Sequence, residues 1–256
     1  GLTLATLLNQ NQPDIDVVLF EKSRGVGGRM ATRYTATHSF DHGAQFFTLR
    51  TNSFRDFLAS HLETGLIEAW DAKITTVGHS KRPDEHSWLE PRYVAQPRMT
   101  SLCKHLALGV DVRLGAAVDR INRTEHGWRL SLDDGQYEKF DWVISTAPAE
   151  QTTALLAIDF SDVTFDPAFA LMLALDKAPT FDGAVVKNSD IDWIAVSSSK
   201  PGRHTQPSLV AHSSGQYAKR RFDDDQVDIQ TELENRVFEL TGIRAQERQL
   251  HRWKYA

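Results

Sequence analysis

An α/β fold in two parts is predicted by this sequence: one part built on a parallel sheet, the other an inserted α+β part with a mostly antiparallel sheet. Three observations carry that expectation. Residues 14–33, DIDVVLFEKSRGVGGRMATR, run from an apolar strand through an acid into a glycine-rich turn and a basic residue. Short strand patterns resume over residues 110–147 after a passage of different character. A third group of strand candidates, closed by an amphipathic helix, fills residues 183–241. Because stretches on both sides of the intervening passage fit one parallel-sheet pattern, the second part is inserted, not appended. The expected boundaries are 1–50 with 109–150 for the first part, and 51–108 with 151–256 for the second.

The opening elements follow from local chemistry. Gly1 precedes an apolar helix-like segment, Leu2 to Leu8. Asp16 to Phe20 is short, apolar and β-branched, the pattern of a strand buried in a parallel sheet. Glu21 then stands where such a strand emerges into a ligand crevice, so it reads as a ribose acceptor. The paired glycines Gly27 and Gly28 allow the backbone to close on a cofactor, and Arg29 is placed to neutralise a diphosphate. At an effective dielectric near 20 such a close charge pair is worth about 4 kcal/mol. In Ser39 to Thr48, SFDHGAQFFT, an acid and a glycine precede an aromatic run, which by pattern alone is either a buried strand with a glycine bulge or the wall of a ligand site.

Later elements are read in the same way. Asn52 to Glu63 is expected as one amphipathic helix, and Trp70–Val77 with Trp88–Ala95 as a hairpin around the polar GHSKRPDEH loop. Thr100 to Leu108 reads as a helix holding the buried Cys103. Strands are expected at VDVRL, AAVDRIN, GWRLSL and WVISTAP, with Asp133-Asp134-Gly135 as a hairpin turn. Gln151 to Asp176 carries helical spacing at Leu155, Leu156, Phe169 and Leu173. Gly183–Val186, Trp193–Ser197 and Ser208–His212 are strand candidates, Lys200-Pro201-Gly202-Arg203 is a turn by composition, and Val227–Thr241 is a helix capped by Gly242.

Composition narrows the function classes. The chain has 256 residues, 41% hydrophobic and 25% charged, enough for one or two sizeable cores. A net charge of −5 with scattered Lys and Arg gives no footprint for nucleic acid or an anionic membrane surface. No apolar run reaches the roughly 18 residues of a spanning helix and no signal peptide is visible, so a cytoplasmic location is expected. A single cysteine excludes an internal disulfide framework and cysteine-rich metal sites. Hydrolase, zincin, dithiol and P-loop motifs are all missing. The ten histidines do not cluster at ligand spacing apart from His38 and His42, which flank Asp41 in a loop, so no metal is expected.

Glu21, Gly27, Gly28, Arg29 and Thr32 together resemble the E-x(5)-G-G-R-x-x-[ST] signature of the flavin amine oxidase superfamily. Asp41, Gly43, Ala44, Gln45, Phe46, Phe47 and Thr48 resemble, in order, a D-x-G-A-Q-[YF]-F-T segment of its renalase-like branch. YVAQPRM, WVISTAP, the Trp193 segment and HRWKYA extend the likeness over most of the chain. The resemblance implies a Rossmann-like FAD-binding domain and an inserted substrate domain. It implies FAD contacts from Gly1, Glu21, Lys22, Arg24, Gly27, Gly28, Arg29, Met30, Gly43, Ala44, Gln45, Phe46 and the backbone of Val118. A strand valine such as Val118 is more often core, and only the resemblance singles it out. Arg98 stands where family members commonly carry a glycine, and reads either as an extra cation near the active-site mouth or as an exposed residue of a helix's first turn.

The implied activity is oxidation of a small-molecule hydride donor by FAD with O2 as acceptor, giving hydrogen peroxide. For renalases the implied donors are dihydro isomers of NAD(P)H. The alternatives are a flavin amine oxidase and a flavin-binding protein without turnover. A nicotinamide-dependent dehydrogenase would need no G-G-R turn. No catalytic residue announces itself, which suits cofactor chemistry. Phe47, Tyr93, Trp193 and His212 are the substrate-pocket candidates. Gly1 falls inside a dinucleotide motif and Ala256 directly after a strand pattern, so the native chain is expected to extend beyond both.

Overall fold

A computed structural model of the chain describes residues 1–78, 90–203 and 206–256. Two compact units share it: Gly1–Gly27 with Cys103–Phe165, and Gly28–Leu102 with Asp166–Ala256. In chain order the first unit supplies α1 (Leu2–Asn11) and β1 (Val18–Glu21). The second follows with β2 (Thr32–Tyr34), β3 (Ser39–Asp41), α2 (Asn52–Phe57), α3 (Ala59–Glu63), β4 (Ile67–Ala69), β5 (Ile74–Val77) and β6 (Tyr93–Ala95). Helix α4 (Thr100–Leu106) precedes β7 (Asp111–Leu114), β8 (Val118–Thr124), β9 (Gly127–Leu132), β10 (Tyr137–Phe140) and α5 (Ala149–Leu156). The chain finishes with β11 (Ala168–Leu175), β12 (Gly183–Val186), β13 (Ile191–Val196), β14 (Ser208–Ser213), α6 (Gly215–Arg221), α7 (Gln226–Thr241) and β15 (Ala245–Trp253).

In the first unit β1 and β7 pair in parallel, Val18 opposite Asp111 through Glu21 opposite Leu114. Phe20 meets the edge of Phe140 at 5.8 Å, and the Arg113 guanidinium lies 5.3 Å over the Phe20 ring. Strands β8, β9 and β10 form an antiparallel meander, turned at Asp133–Gly135 as its sequence requires, with Gly135 in the left-handed region at φ 85°. The expected strand over WVISTAP is absent: residues 142–147 pair with no described strand, leaving Trp142 85% and Ile144 61% exposed. An alternating pattern makes a strand only when a neighbour takes its backbone groups.

The second unit is organised by a six-stranded sheet in the order β15-β11-β14-β13-β12-β5. Every pairing in it is antiparallel except β12 with β5. Strand β11 corrects the expectation of helix through Asp176, since AFALMLAL is extended and Phe169 to Leu175 are each at most 2% exposed. Helix propensity among Ala, Leu and Met is worth tenths of a kcal/mol per residue, whereas burying a large apolar side chain is worth about 1.5–3 kcal/mol. Burial therefore decides the conformation. Phe169, Leu171, Leu173 and Leu175 face α6 and α7, where Tyr217, Ile229, Leu233 and Val237 complete the main core. Ala170, Met172 and Ala174 face the other way, onto Phe40, Val210 and Trp253.

Two further expectations are corrected. The Asn52–Glu63 helix is broken at Leu58 into α2 and α3, with Leu58 itself fully buried. Strand β5 does not form a hairpin with β6: it runs parallel to β12, while β6 pairs with β4. Local reasoning joins the nearest strand-like stretches, but Ile74 of β5 is buried with Val185 of β12 and Trp193 and Ala195 of β13. Trp88 and most of the loop before it lie outside the described residues. Helix α7 ends as expected, at Gly242 with φ 68°.

Candidate functional site

Each unit carries part of the expected site. In the first, Gly1 is the N-cap of α1, and a Cβ there would meet the Leu19 side chain and Thr146 Oγ1, each at 3.2 Å. Glu21 ends β1 and its Oε1 accepts from the Ser23 N–H at 2.8 Å. Lys22 Nζ donates to Gln151 Oε1 at 3.4 Å, and Arg24 is exposed. Val118 opens β8 opposite Leu132, and the register shifts between it and Arg120. Gly27 has φ 132°, a conformation that a side chain would strain.

In the second unit Gly28, Arg29 and Met30 form a single 3-10 turn, with Gly28 at φ 50°. That turn rests on the HGAQF segment: the Ala44 N–H donates to the Arg29 carbonyl at 2.8 Å. A Cβ built on Gly43 would fall 2.0 Å from the same Arg29 oxygen, so the two backbones approach as closely as only glycine permits. Beside them Met30, Ala44, Phe46 and Phe47 pack with Trp70, Val94, Met99, Val185, Trp193 and Ala195. Phe46 lies 6.2 Å from Trp70 and 5.8 Å from Trp193. Phe47 and Tyr93 exchange backbone hydrogen bonds at 2.9 and 2.8 Å, their rings 6.4 Å apart.

Phe47 and Trp193 thus pack against the same buried cluster, and Tyr93 joins it through the Phe47 ring. His212 is reached differently, along the sheet. Strand register sets a row of residues on one face: Thr76, Val185, Trp193, His212, Ala170 and His251, one from each strand. Two buried polar atoms in that row, Thr76 Oγ1 and Trp193 Nε1, have no hydrogen-bond partner. At the row's other end His42 stacks on Trp253 at 5.2 Å and meets His251 edge-on at 4.6 Å. The His42 carbonyl accepts from His212 Nε2 at 3.2 Å and from Trp253 Nε1 at 2.9 Å. Burial, followed for His42 by the nearby His251 and Arg33, lowers both His42 and His212 to about 4, so both are neutral at pH 7.

A charged cluster that the sequence reading missed lies under the HGAQF segment. The Asp41, Lys200 and Arg203 side chains are 4%, 0% and 2% exposed. Arg203 NH2 donates to Asp41 Oδ2 at 2.7 Å, and NH1 to the carbonyls of Ala95 and Pro201. Asp41 Oδ1 accepts from Thr32 Oγ1 at 2.7 Å and the Met99 N–H at 3.0 Å. Lys200 Nζ donates to Gln45 Oε1 at 2.8 Å, and Gln45 Nε2 donates to the carbonyls of Asp41 and Gly43. Burial pushes the Asp41 carboxyl up, but Lys200 and Arg203 outweigh it and hold the group below its ordinary value. Burial pulls Lys200 down to about 8 against the attraction of Asp41. The signal in sequence was two basic residues around the Pro-Gly of a turn between buried strands, with one acid, Asp41, in a buried strand to meet them.

Arg98 is partly buried, not exposed: its guanidinium lies 5.3 Å over the Tyr34 ring ahead of α4. Among the described residues no group of three or more His, Cys, Asp or Glu side chains is placed to hold a metal.

These features define a fold class. The profile of the NAD(P)-binding Rossmann-like domain matches residues 1–60, and that of the flavin containing amine oxidoreductases matches residues 91–186. A solved Exiguobacterium protein provisionally assigned as a protoporphyrinogen oxidase superposes with a TM-score of 0.77 at 13% identity, over 98% of this chain and 83% of that one. A putrescine oxidase variant superposes with a TM-score of 0.71 at 11% identity, over 97% and 81%. The fold is that of flavin amine oxidase-type oxidoreductases. In sequence the chain is similar to mouse (Mus musculus) renalase, 28% identical over 163 residues, which is 60% of this chain. That match spans 46% of the relative's own length.

The residues present fit FAD. A strand-end acid, a turn that only glycine can form, a glycine-closed backbone approach and an aromatic wall supply the parts that a dinucleotide and a planar ring require.

Proposed function

We propose that this protein is an FAD-dependent oxidoreductase that takes a hydride from a small donor, a dihydro isomer of NAD(P)H, with O2 as electron acceptor. The observation that carries this reading is the aromatic wall of Phe46, Phe47, Trp70, Tyr93 and Trp193 beside the G-G-R turn and HGAQF backbone. Bound FAD would supply the redox chemistry, accepting the hydride and returning the electrons to O2 as hydrogen peroxide.

The chain's own residues would bind and orient. In the first unit Glu21 would accept from a ribose hydroxyl, with Gly1, Lys22, Arg24, Gly27 and the Val118 backbone lining the nucleotide. In the second, Gly28, Arg29 and Met30 would hold the diphosphate side, and Gly43, Ala44, Gln45 and Phe46 the ring. Phe47, Tyr93 and Trp193 would stack a planar donor and exclude water, and the unpartnered Trp193 N–H would donate to an acceptor on it. His42 and His212 are neutral at pH 7 and would leave the site without additional charge. We place the protein in the cytoplasm, a reading that its single cysteine, which allows no internal disulfide, supports.

Amine oxidation is the second reading, favoured by the amine oxidoreductase profile over residues 91–186. Charge argues against it: the buried groups beneath the HGAQF segment are two cations and one carboxylate, a poor surrounding for an ammonium substrate. Anaerobic mixing of FAD-loaded protein with dihydronicotinamide isomers should bleach the flavin within seconds. Bleaching by primary amines alone would transfer the assignment to amine oxidase, and bleaching by neither would leave a flavin-binding protein without turnover.

A further inference from the structure

We propose that the Lys200 ammonium, seated on the Gln45 side chain, is a counter-charge held ready for a ligand that becomes anionic on reduction, here the flavin ring. The inference rests on the FAD reading above. Its basis is the accounting of charge in the buried cluster. Asp41 is matched by Arg203 at 2.7 Å and is otherwise saturated by Thr32 Oγ1 and the Met99 N–H. Lys200 stands 3.9 Å from Asp41 Oδ2, outside hydrogen-bond range. Its ammonium donates to a neutral amide, Gln45 Oε1, and faces the Trp70 ring at 5.4 Å. Two buried cations against one carboxylate leave one positive charge without an anion.

Among the described residues, the other titratable groups near Lys200 do not supply that anion. His212 on β14 is neutral at pH 7, as is His42 beyond it. An uncompensated buried charge is costly, and an anion formed near it would relieve that cost. Gln45 is fixed for the role, because its amide nitrogen is tied to the carbonyls of Asp41 and Gly43 while its oxygen takes the ammonium. Hydride transfer from the donor breaks its C–H bond and delivers two electrons and one proton to the ring. The ring thereby gains one negative charge, and Lys200 balances it. Lys200 is a positioning residue, since it touches Gln45 and not the reacting atoms.

The test uses the purified FAD-loaded protein. Its two-electron midpoint potential is measured at pH 7 by dye equilibration, and its affinity for sulfite, which adds to oxidised flavin to give an anionic adduct, by absorbance titration. Lys200→Met should shift the redox equilibrium tenfold or more toward the oxidised form, about 30 mV for a two-electron couple. It should also weaken sulfite binding tenfold or more. Lys200→Arg should keep both values. Gln45→Glu, which sets a carboxylate on the intact amine, should reproduce the methionine variant, and it decides the matter if Lys200→Met does not fold. Flavin-loaded Lys200→Met, or Gln45→Glu in its place, with unchanged potential and sulfite affinity overturns the proposal while the FAD reading stands. A parent protein that holds no flavin overturns the FAD reading itself.

Discussion

The two units treat apolar sequence in opposite ways. In the second, β11 is covered on both faces, by α6 and α7 on one and by Phe40 and Trp253 on the other. In the first, residues 142–147 carry an equally strand-like pattern and pair with no described strand, and Leu114, Trp142 and Ile144 are exposed. Pattern sets which residues want burial, and partners set whether they obtain it. The aromatic cluster and the buried charges belong to the unit whose central strand is covered on both faces, whereas Glu21 ends a two-stranded parallel pair.

The largest test of that contrast is Asp41→Ala. It removes the only carboxylate of the buried cluster and leaves Lys200 and Arg203 unmatched, which should destabilise the second unit by about 3–5 kcal/mol. Urea unfolding, followed by far-UV circular dichroism, reads the change. A loss below 1 kcal/mol would mean that the cluster is hydrated and that the second unit's closure is overstated.

Next in size is acid sensitivity. His42 and His212 have an ordinary value of 6.5 when unfolded and about 4 in the fold. Between those values the unfolded state binds more protons, so stability falls as pH drops from 6.5 toward 4 and is level above 6.5. At about 1.4 kcal/mol per pKa unit each histidine contributes about 3 kcal/mol. Unfolding midpoints at pH 7.5 and pH 4.5 should therefore differ, and His212→Gln should flatten the difference. A profile unchanged by that substitution would assign the acid loss elsewhere.

What the sequence made legible follows the same division between pattern and partner. Strand β12 forms as its apolar run predicts, and α7 begins and ends within a residue of expectation, because caps and periodicity are local. AFALMLAL was illegible because its alternation vanishes when both faces are buried, and its Ala, Leu and Met are good helix formers. The pairing of β5 with β12 joins residues more than a hundred positions apart, which no turn signal encodes. At the site the G-G-R turn and HGAQF segment were legible as motifs, and Trp193 and Phe47 as wall candidates. Lys200 and Arg203 were read only as part of a turn, because their meaning depends on Asp41, more than 150 residues earlier.

The smallest expected effect is also the sharpest test of the contrast. Trp142 is 85% exposed, so Trp142→Ser should change stability by no more than about 0.5 kcal/mol, as for other surface substitutions. Leu171→Ala in β11, fully buried, should cost about 2–5 kcal/mol by transfer and cavity formation. Paired denaturant titrations of the two variants measure the difference directly. Should Trp142→Ser cost more than 1 kcal/mol, the indole is covered in solution. Residues 142–147 would then have found the partner strand that their pattern calls for, and the first unit would be closed like the second.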